Sequence, residues 1–172
     1  MELMPIKNPV YVDLWEQIQQ QFPSVVSAQE DDYGMLTLYT SKEQIIAVLR
    51  FLKKDKHWQF IHLTDITAVH YPLELLPFTV VYHLQSLVLN LRIRLKVAIG
   101  GEPPEIPSAT TLWPGANWME RETYDFFGIQ FLGHPDLRRI LNMDELEAFP
   151  MRKEYPLEDP NRVDKKDLYF GR

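Results

Sequence analysis

The sequence predicts an α+β domain: one mixed β-sheet covered by N-terminal helices, followed by a C-terminal helix and an extended tail. Hydrophobic residues recur at helical spacing at first, alternate with a period of two between residues 58 and 99, and return to helical spacing near residue 118. The 172 residues, 45% of them hydrophobic, suffice for one domain with a substantial core. From Pro150 prolines alternate with charges, a composition with little apolar surface to bury. We expect a single domain over residues 1–149 and a tail over residues 150–172 that becomes ordered on partner proteins.

Composition excludes several classes of function. The 24 acidic and 18 basic residues give a formal charge of −6, which argues against nucleic-acid binding. The absence of cysteine removes thiolate zinc sites and iron–sulfur ligation. No stretch approaches the roughly 18 apolar residues that a membrane span needs, and the N-terminus lacks the features of a signal peptide. The sequence therefore predicts a cytosolic protein that binds other proteins and reaches a membrane only indirectly.

Two amphipathic helices are predicted in the first third of the chain. Asn8 and Pro9 form an N-cap and a first helical residue, and Pro23 ends that helix. Ser41 and Gln44 form a capping box for a second helix, which ends near residues 53–54. The predicted apolar faces are Val10, Leu14, Ile18 and Phe22 in the first helix and Ile45, Val48, Leu49 and Leu52 in the second.

Five strands are predicted around and after these helices. They cover residues 25–28, 35–39, 58–69, 78–87 and 91–99, and a hairpin turn over residues 31–34 joins the first two. In the last strand Leu91, Ile93, Leu95, Val97 and Ile99 alternate with Arg92, Arg94 and Lys96. This alternation places one face in the core, and the three cations form either a solvated face or a docking surface. The proline- and glycine-rich residues 100–107 are expected to be a connector.

A third helix is predicted over residues 118–127, with Asn117 as its N-cap, Glu120 as the capping-box partner and Gly128 as its left-handed end. Its expected apolar stripe is Met119, Thr123 and Phe126. Arg121 and Asp125 are four residues apart and share a face, which indicates a salt-bridged surface that contacts something else. Further helical character is expected over residues 143–149.

Catalytic chemistry finds little support in the sequence. Glu120 and Glu122 point to nearly opposite sides of a helix, a poor arrangement for a carboxylate pair acting on one substrate. None of the five histidines forms a chelating pair, and His62 and His70 are too far apart on a strand to bind one ion. Phosphate-binding loops and nucleophile elbows are absent. The choice is between a cofactor-free structural subunit and a small acid–base enzyme that uses Asp65, Glu120 or Glu122.

The third helix and the loop after it carry a resemblance to a known family. They contain Glu-Arg-Glu at residues 120–122, Asp-Phe-Phe at 125–127, His134, Arg138 and Ile-Leu at 140–141. In this order the residues resemble the signature of the 30-kDa-type subunit of respiratory NADH:quinone oxidoreductase (complex I). Stretches 61–72, 80–84 and 151–156 are also similar to that family, so the resemblance covers roughly residues 58–160. The signature residues are Glu120, Arg121, Glu122, Asp125, Phe126, Phe127, His134, Arg138, Arg139, Ile140 and Leu141.

The resemblance implies a specific role. Such a subunit lies in the peripheral arm, on the cytoplasmic side of the inner membrane, and braces the larger hydrogenase-like subunit that lines the quinone pocket. The holoenzyme oxidises NADH, reduces quinone and translocates protons, and its FMN and iron–sulfur clusters lie on other subunits. The resemblance implies no catalytic, cofactor-binding or metal-binding residue in this chain. A related photosynthetic complex that reduces plastoquinone is the alternative within the same family.

The signature residues are accordingly expected to form a subunit interface. Arg138 and Arg139 in particular are expected to be docking cations, because a guanidinium pairs in a bidentate manner with carboxylates at interfaces. The alternative is that Arg138 pairs with Glu122 or Asp125 and ties the loop back to its own helix.

Overall fold

The computed structural model describes residues 6–23 and 27–155. Within these residues it contains three helices and seven strands. In chain order they are α1 (Pro9–Gln21), β1 (Ser27–Glu30), β2 (Leu36–Tyr39), α2 (Ile45–Lys54), β3 (His62–His70), β4 (Phe78–Ser86), β5 (Leu91–Ile99), β6 (Glu105–Pro107), α3 (Ala116–Phe127) and β7 (Gln130–Leu132). The predicted α+β class is confirmed.

Five of the strands form one mixed sheet in the order β1-β2-β5-β4-β3. β2 and β5 run parallel, and the other neighbouring pairs are antiparallel. A parallel pair needs a long crossover, which here contains α2, β3 and β4. The small parallel sheet of β6 and β7 was not predicted, because β6 lies in the proline-rich connector and its partner follows only after α3.

The core lies on one face of the large sheet. In β5, Ile93, Leu95, Val97 and Ile99 are at most 1% exposed, as their alternation predicted. The same core cluster contains buried side chains of all three helices. Strand residues of the opposite parity, such as Lys96 and Val81, lie outside that cluster. The described helices therefore pack on one face of the sheet, and we call the other the open face.

The first helix begins as predicted but turns a slightly different face to the core. The Asn8 side chain accepts a hydrogen bond from the Val10 amide at 3.0 Å, which confirms the N-cap. The buried face consists of Tyr11, Leu14 and Ile18. Val10 is 37% exposed, so its place in the predicted stripe was wrong. Tyr11 takes that place because its ring enters the core and its hydroxyl donates to the Arg92 carbonyl at 2.9 Å.

The second helix buries the four residues that were predicted for its apolar face. The expected capping box of Ser41 and Gln44 is wrong. Gln44 is itself the residue before the helix, and no side chain caps the helix. Ser41 instead opens the preceding turn, because its carbonyl accepts from the Gln44 and Ile45 amides.

One strand boundary and one predicted helix differ from expectation. The strand predicted to begin at Trp58 begins at His62, although Trp58 and Phe60 are buried in the core ahead of it. Residues 143–149 form turns and not a helix. The Arg139 side chain donates to the carbonyls of Leu146 and Ala148, at 2.6 and 2.9 Å, and so joins this irregular segment to the end of α3.

Candidate functional site

Helix α3 positions the signature residues against the edge of the sheet. The Thr123 hydroxyl lies 2.8 Å from the Met119 carbonyl of its own helix and 3.2 Å from the Ile66 carbonyl of β3, and Phe127 joins the core. The helix ends at Gly128, whose φ of 74° is left-handed, as predicted. Its start was predicted wrongly, because Asn117 lies inside the helix and Gly115 precedes it without a side-chain cap.

Asp125 is the centre of the contacts between α3 and the loop that follows. Its side chain is fully buried. One carboxylate oxygen accepts from the amides of Ile140, Leu141 and Asn142 at 3.1, 2.8 and 2.9 Å. The other accepts from the Arg139 guanidinium at 2.7 Å. Burial acts to raise the pKa of Asp125, but the amide and guanidinium donors outweigh it and hold that pKa below its ordinary range. We call these contacts the Asp125 clasp.

The two buried arginines of the signature extend the clasp by binding backbone. Arg139 is 9% exposed and binds the Asp125 carbonyl as well as its carboxylate. Arg121 donates to the carbonyls of Arg138 and Arg139, both at 3.1 Å, and lies 5.1 Å from the Trp118 ring. Arg121 and Asp125 do not pair with each other, so the predicted salt-bridged outer face is wrong: these charges face inward.

A third arginine, outside the predicted site, secures the far end of the same loop. Arg152 donates to the Phe127 carbonyl at 2.7 Å, and its guanidinium lies 5.0 Å from the Phe78 ring and 4.8 Å from the Phe149 ring. A Cβ atom on Gly128 would lie 2.6 Å from Phe149 and 2.7 Å from Arg152, so this closure requires glycine. The only sequence signal for this role was the family resemblance of residues 151–156.

Glu120 binds a different segment from the one predicted. Its carboxylate accepts from the Ser108 hydroxyl at 2.7 Å and from the Ala109 amide at 2.6 Å, and it is fully buried. The capping-box role was therefore wrong. Burial raises the pKa of Glu120 to about 7, although the two donors act in the opposite direction. Glu120 joins α3 to the segment that follows β6.

His134 has a comparable structural role at the start of the loop. Its Nδ1 accepts from the Asp136 amide at 3.0 Å, so the proton is on Nε2, which donates to the Asn117 carbonyl at 3.1 Å. His70 is also structural, because it is buried, stacks on Phe78 and accepts from the Lys153 amide at 2.9 Å.

Other residues of the same stretch are exposed beside the clasp. Arg138 is 70% exposed, and its one ion pair among the described residues is with Asp136, which is 55% exposed. The alternative prediction, an ion pair of Arg138 with Glu122 or Asp125, is wrong. Arg139 is the arginine that pairs with Asp125. The remaining exposed side chains include large apolar ones. These apolar side chains are Trp118 at 61%, Leu141 at 63% and Met143 at 71% exposed. Glu122 is also exposed, whereas Phe126 and Ile140 are half-buried. We call Trp118, Arg138, Leu141 and Met143 the exposed strip.

The three carboxylates considered for acid–base work do not converge. Asp65 and Glu122 line a small hollow of about 320 Å³ between β3 and α3, whereas Glu120 is buried against Ser108. Within residues 6–23 and 27–155, no group of three or more acidic or histidine side chains is arranged to hold a metal ion. Among the described helices, none has the length and apolar character required to cross a bilayer.

Residues 150–155, the described part of the predicted tail, contact the domain. The Met151 amide donates to the Phe126 carbonyl at 3.1 Å, and Glu154 lies 3.4 Å from His70. Residues 156–172 lie outside the described part of the chain.

Comparison with known proteins identifies the family of this chain. Residues 38–161 match the family described as respiratory-chain NADH dehydrogenase, 30 Kd subunit. The chain belongs to this family. The match begins earlier than the resemblance that the sequence alone displayed, and it includes the second half of β2 and all of α2. The predicted resemblance is confirmed, and with it the expectation that the chain is a subunit of an oxidoreductase complex.

Curated relatives agree with the family match. The NADH-quinone oxidoreductase C subunit of Sinorhizobium medicae (strain WSM419) is 47% identical over 145 residues, which cover 84% of this chain and 72% of that protein. The protein of the same name from Rhizobium johnstonii (strain DSM 114642 / LMG 32736 / 3841) is 48% identical over 133 residues, covering 77% of this chain and 66% of that protein. The matched part thus spans about two thirds of the second relative.

Two solved structures share the fold. Nqo5, as its trypsin-resistant fragment (1–134), superposes with a TM-score of 0.64 at 30% identity and covers 74% of this chain and 98% of that one. A chain of the membrane-bound sulfane sulfur reductase, an archaeal respiratory membrane complex, superposes with a TM-score of 0.76 over 92% of this chain and 97% of that one. At 24% identity the second comparison shows the common fold alone.

Proposed function

We propose that this chain is a cofactor-free structural subunit in the peripheral arm of a proton-translocating NADH:quinone oxidoreductase. In this role it braces the larger, hydrogenase-like subunit that lines the quinone site, on the cytoplasmic side of the membrane. FMN, the iron–sulfur clusters, NADH and quinone bind other subunits. The family match carries the assignment to complex I, and the geometry around α3 supports the bracing role.

The support from geometry is that the buried charges of the signature are used on the chain itself. Asp125, Arg121 and Arg139 bind backbone amides and carbonyls of the loop, so they fix its shape and are not available to a substrate. A loop held in this way presents the exposed strip as a preformed surface, which lowers the entropy cost of binding. Tryptophan, arginine and methionine are enriched at protein interfaces, and the strip contains one of each, with Leu141 adding apolar area.

The role of Arg138 follows from the same geometry. Arg138 is the exposed one of the two cations that were expected to dock, whereas Arg139 pairs with Asp125 in the clasp. We propose that Arg138 pairs with a carboxylate of the neighbouring subunit and that the segment after Tyr155 extends the contact. Removing one partner of such a desolvated pair costs about 2–5 kcal/mol of binding free energy.

The test is recovery of the complex from detergent-solubilised membranes with a tagged full-length chain. Mass spectrometry identifies the co-purifying chains, and native gels measure the assembled amount. We expect the wild type to recover the quinone-site subunit and Arg138→Glu to recover much less of it. Arg50→Glu, the same change on the exposed side of α2, is the matched control and should assemble normally.

Two outcomes would contradict the proposal. Recovery of the wild-type chain without other oxidoreductase subunits would remove the assignment to the complex. Normal assembly of Arg138→Glu with lost quinone reduction would indicate a direct catalytic role.

A further inference from the structure

We infer that the open face of the sheet carries a second docking surface, which receives an apolar segment with a carboxylate from another polypeptide. This inference rests on the proposed function, because the other polypeptide is taken to be a further subunit of the same complex. The surface lies on the side of the sheet away from the core, and none of the four residues of the exposed strip lines it.

The first observation is an apolar loop between β3 and β4. In the sequence Tyr71-Pro72-Leu73-Glu74-Leu75-Leu76, Leu73 is 100% exposed and Leu75 is 95% exposed. Tyr71 and Leu76 are each almost half exposed. Single exposed apolar residues are common on protein surfaces, but four within six consecutive positions are unusual, and such a concentration is typical of an interaction site.

The loop has a defined shape. The Tyr71 amide donates to the Pro77 carbonyl at 2.7 Å, and the Glu74 amide donates to the Tyr71 carbonyl at 3.0 Å. The loop also rests on Gly100 after β5, where a Cβ atom would lie 3.1 Å from the Leu76 side chain. The loop backbone is therefore held at the edge of the open face, with Leu76 beside Gly100.

The second observation is a groove between this loop and the sheet. A hollow of about 560 Å³ separates Leu75 and Leu76 from Tyr39, Lys96 and Ala98. A second hollow of about 620 Å³ shares these residues and continues toward the start of α2. Together they form a trough with mainly apolar walls, wide enough for several side chains of an extended or helical segment.

The third observation concerns charge. Lys96 lies in the groove, half-buried, with Nζ 5.8 Å from the centre of the Tyr39 ring. Within the described residues no carboxylate lies within ion-pair distance of its ammonium group, and Glu74, which lines the same groove, forms no ion pair with it. The nearby Asp31 pairs with Arg94 instead. Burial and the neighbouring Arg94 lower the pKa of Lys96. A carboxylate brought by the partner would offset both effects by attracting the ammonium group, so charge complementarity favours an acidic and apolar segment.

The test uses the fact that the chain contains no cysteine. Leu75→Cys places a single thiol at the groove, and Tyr33→Cys, at a position that is 96% exposed in the β1–β2 turn, is the control. Each full-length variant is labelled with a maleimide, both as the isolated chain and within the purified complex, and the labelled peptide is quantified by mass spectrometry. We expect labelling at position 75 to slow roughly tenfold or more in the complex, as for other groups protected by an interface, and labelling at position 33 to stay unchanged.

The charge is tested in the Leu75→Cys background with Lys96→Glu and Lys96→Arg. We expect Lys96→Glu to restore fast labelling in the complex and Lys96→Arg to keep the protection. Melting temperatures of the isolated variants verify that each one folds, and Lys96→Gln replaces Lys96→Glu if the latter does not.

Several outcomes overturn the inference. Equal labelling of position 75 in the complex and in the isolated chain would show that the groove is unoccupied. Protection that survives Lys96→Glu would rule out an acidic occupant. Protection of the isolated chain that is lost on dilution would identify a second copy as the occupant, and protection by phosphatidylglycerol vesicles alone would identify a lipid surface. Failure of the proposed function is a different result, in which the wild-type chain co-purifies with no other oxidoreductase subunit. Failure of this inference is seen only when the complex is recovered and position 75 is labelled as fast in it as in the isolated chain.

Discussion

The Asp125 carboxylate allows the most direct test of how the loop after α3 is held. Asp125→Ala removes the acceptor for three backbone amides and leaves the Arg139 guanidinium buried without its counter-charge. Breaking a buried ion pair in this way costs about 3–5 kcal/mol of the free energy of unfolding. For a chain of this length that loss lowers the melting temperature by roughly 6–20 °C.

The matched control is Glu122→Ala, three residues earlier on the exposed side of the same helix. A surface substitution of this kind changes the free energy of unfolding by about 0.5 kcal/mol or less. Urea denaturation of both isolated variants at pH 7 measures the difference. Equal stability of the two variants would refute the clasp as the element that holds the loop.

The clasp also predicts a pH dependence with a definite sign. The pKa of Asp125 in the folded chain is held below its ordinary value of 3.8. The folded state therefore binds this proton less tightly than the unfolded state does, so the stabilisation is complete above about pH 4 and is lost as the pH falls below it. Asp125→Asn should lose stability less steeply than the wild type in that acidic range. Parallel acid-unfolding curves would contradict this.

Three further predictions concern other parts of the site. Burial raises the pKa of Glu120 to about 7 from an ordinary 4.5, so folded chains bind this proton more tightly than unfolded ones and stability falls as the pH rises between those values. Glu120→Gln should remove that fall, at most about 1.4 kcal/mol per pH unit, in denaturation measured at pH 5 and pH 8. Arg139→Lys should cost roughly 1–3 kcal/mol because a lysine cannot replace the planar fork, whereas Arg138→Lys should leave the melting temperature unchanged, and equal effects would refute the inward and outward assignment. The purified chain should be colourless and metal-free by absorption and elemental analysis, and one bound zinc or iron per chain would favour the enzyme alternative.

Local patterns predicted the elements whose partners are close in sequence or whose burial is periodic. The buried face of α2 and the alternation in β5 follow from side-chain period alone, and both were confirmed. The Asn8 cap was also confirmed. It could be predicted because its hydrogen-bond partner is only two residues away. In each of these cases the deciding interaction is local or is set by hydrophobic period.

Predictions from the sequence were wrong where polar side chains bind residues that are distant along the chain. Glu120 binds Ser108, twelve residues earlier, instead of capping its own helix. Arg138 and Arg139 are adjacent and chemically identical, so no pattern distinguishes the exposed one from the buried one. The helix expected at residues 143–149 is absent, and the carbonyls of Leu146 and Ala148 in that segment accept from the Arg139 side chain. Each of these outcomes depends on tertiary geometry that spacing does not encode.

The proposed function requires that the clasp present the exposed strip to a neighbouring subunit. Hydrogen–deuterium exchange of residues 136–143, compared between the isolated chain and the purified complex, tests it most directly. Slower exchange in this stretch within the complex, with unchanged exchange at residues 55–57 just after α2, is the predicted result. Equal exchange of residues 136–143 in the two states would contradict the claim.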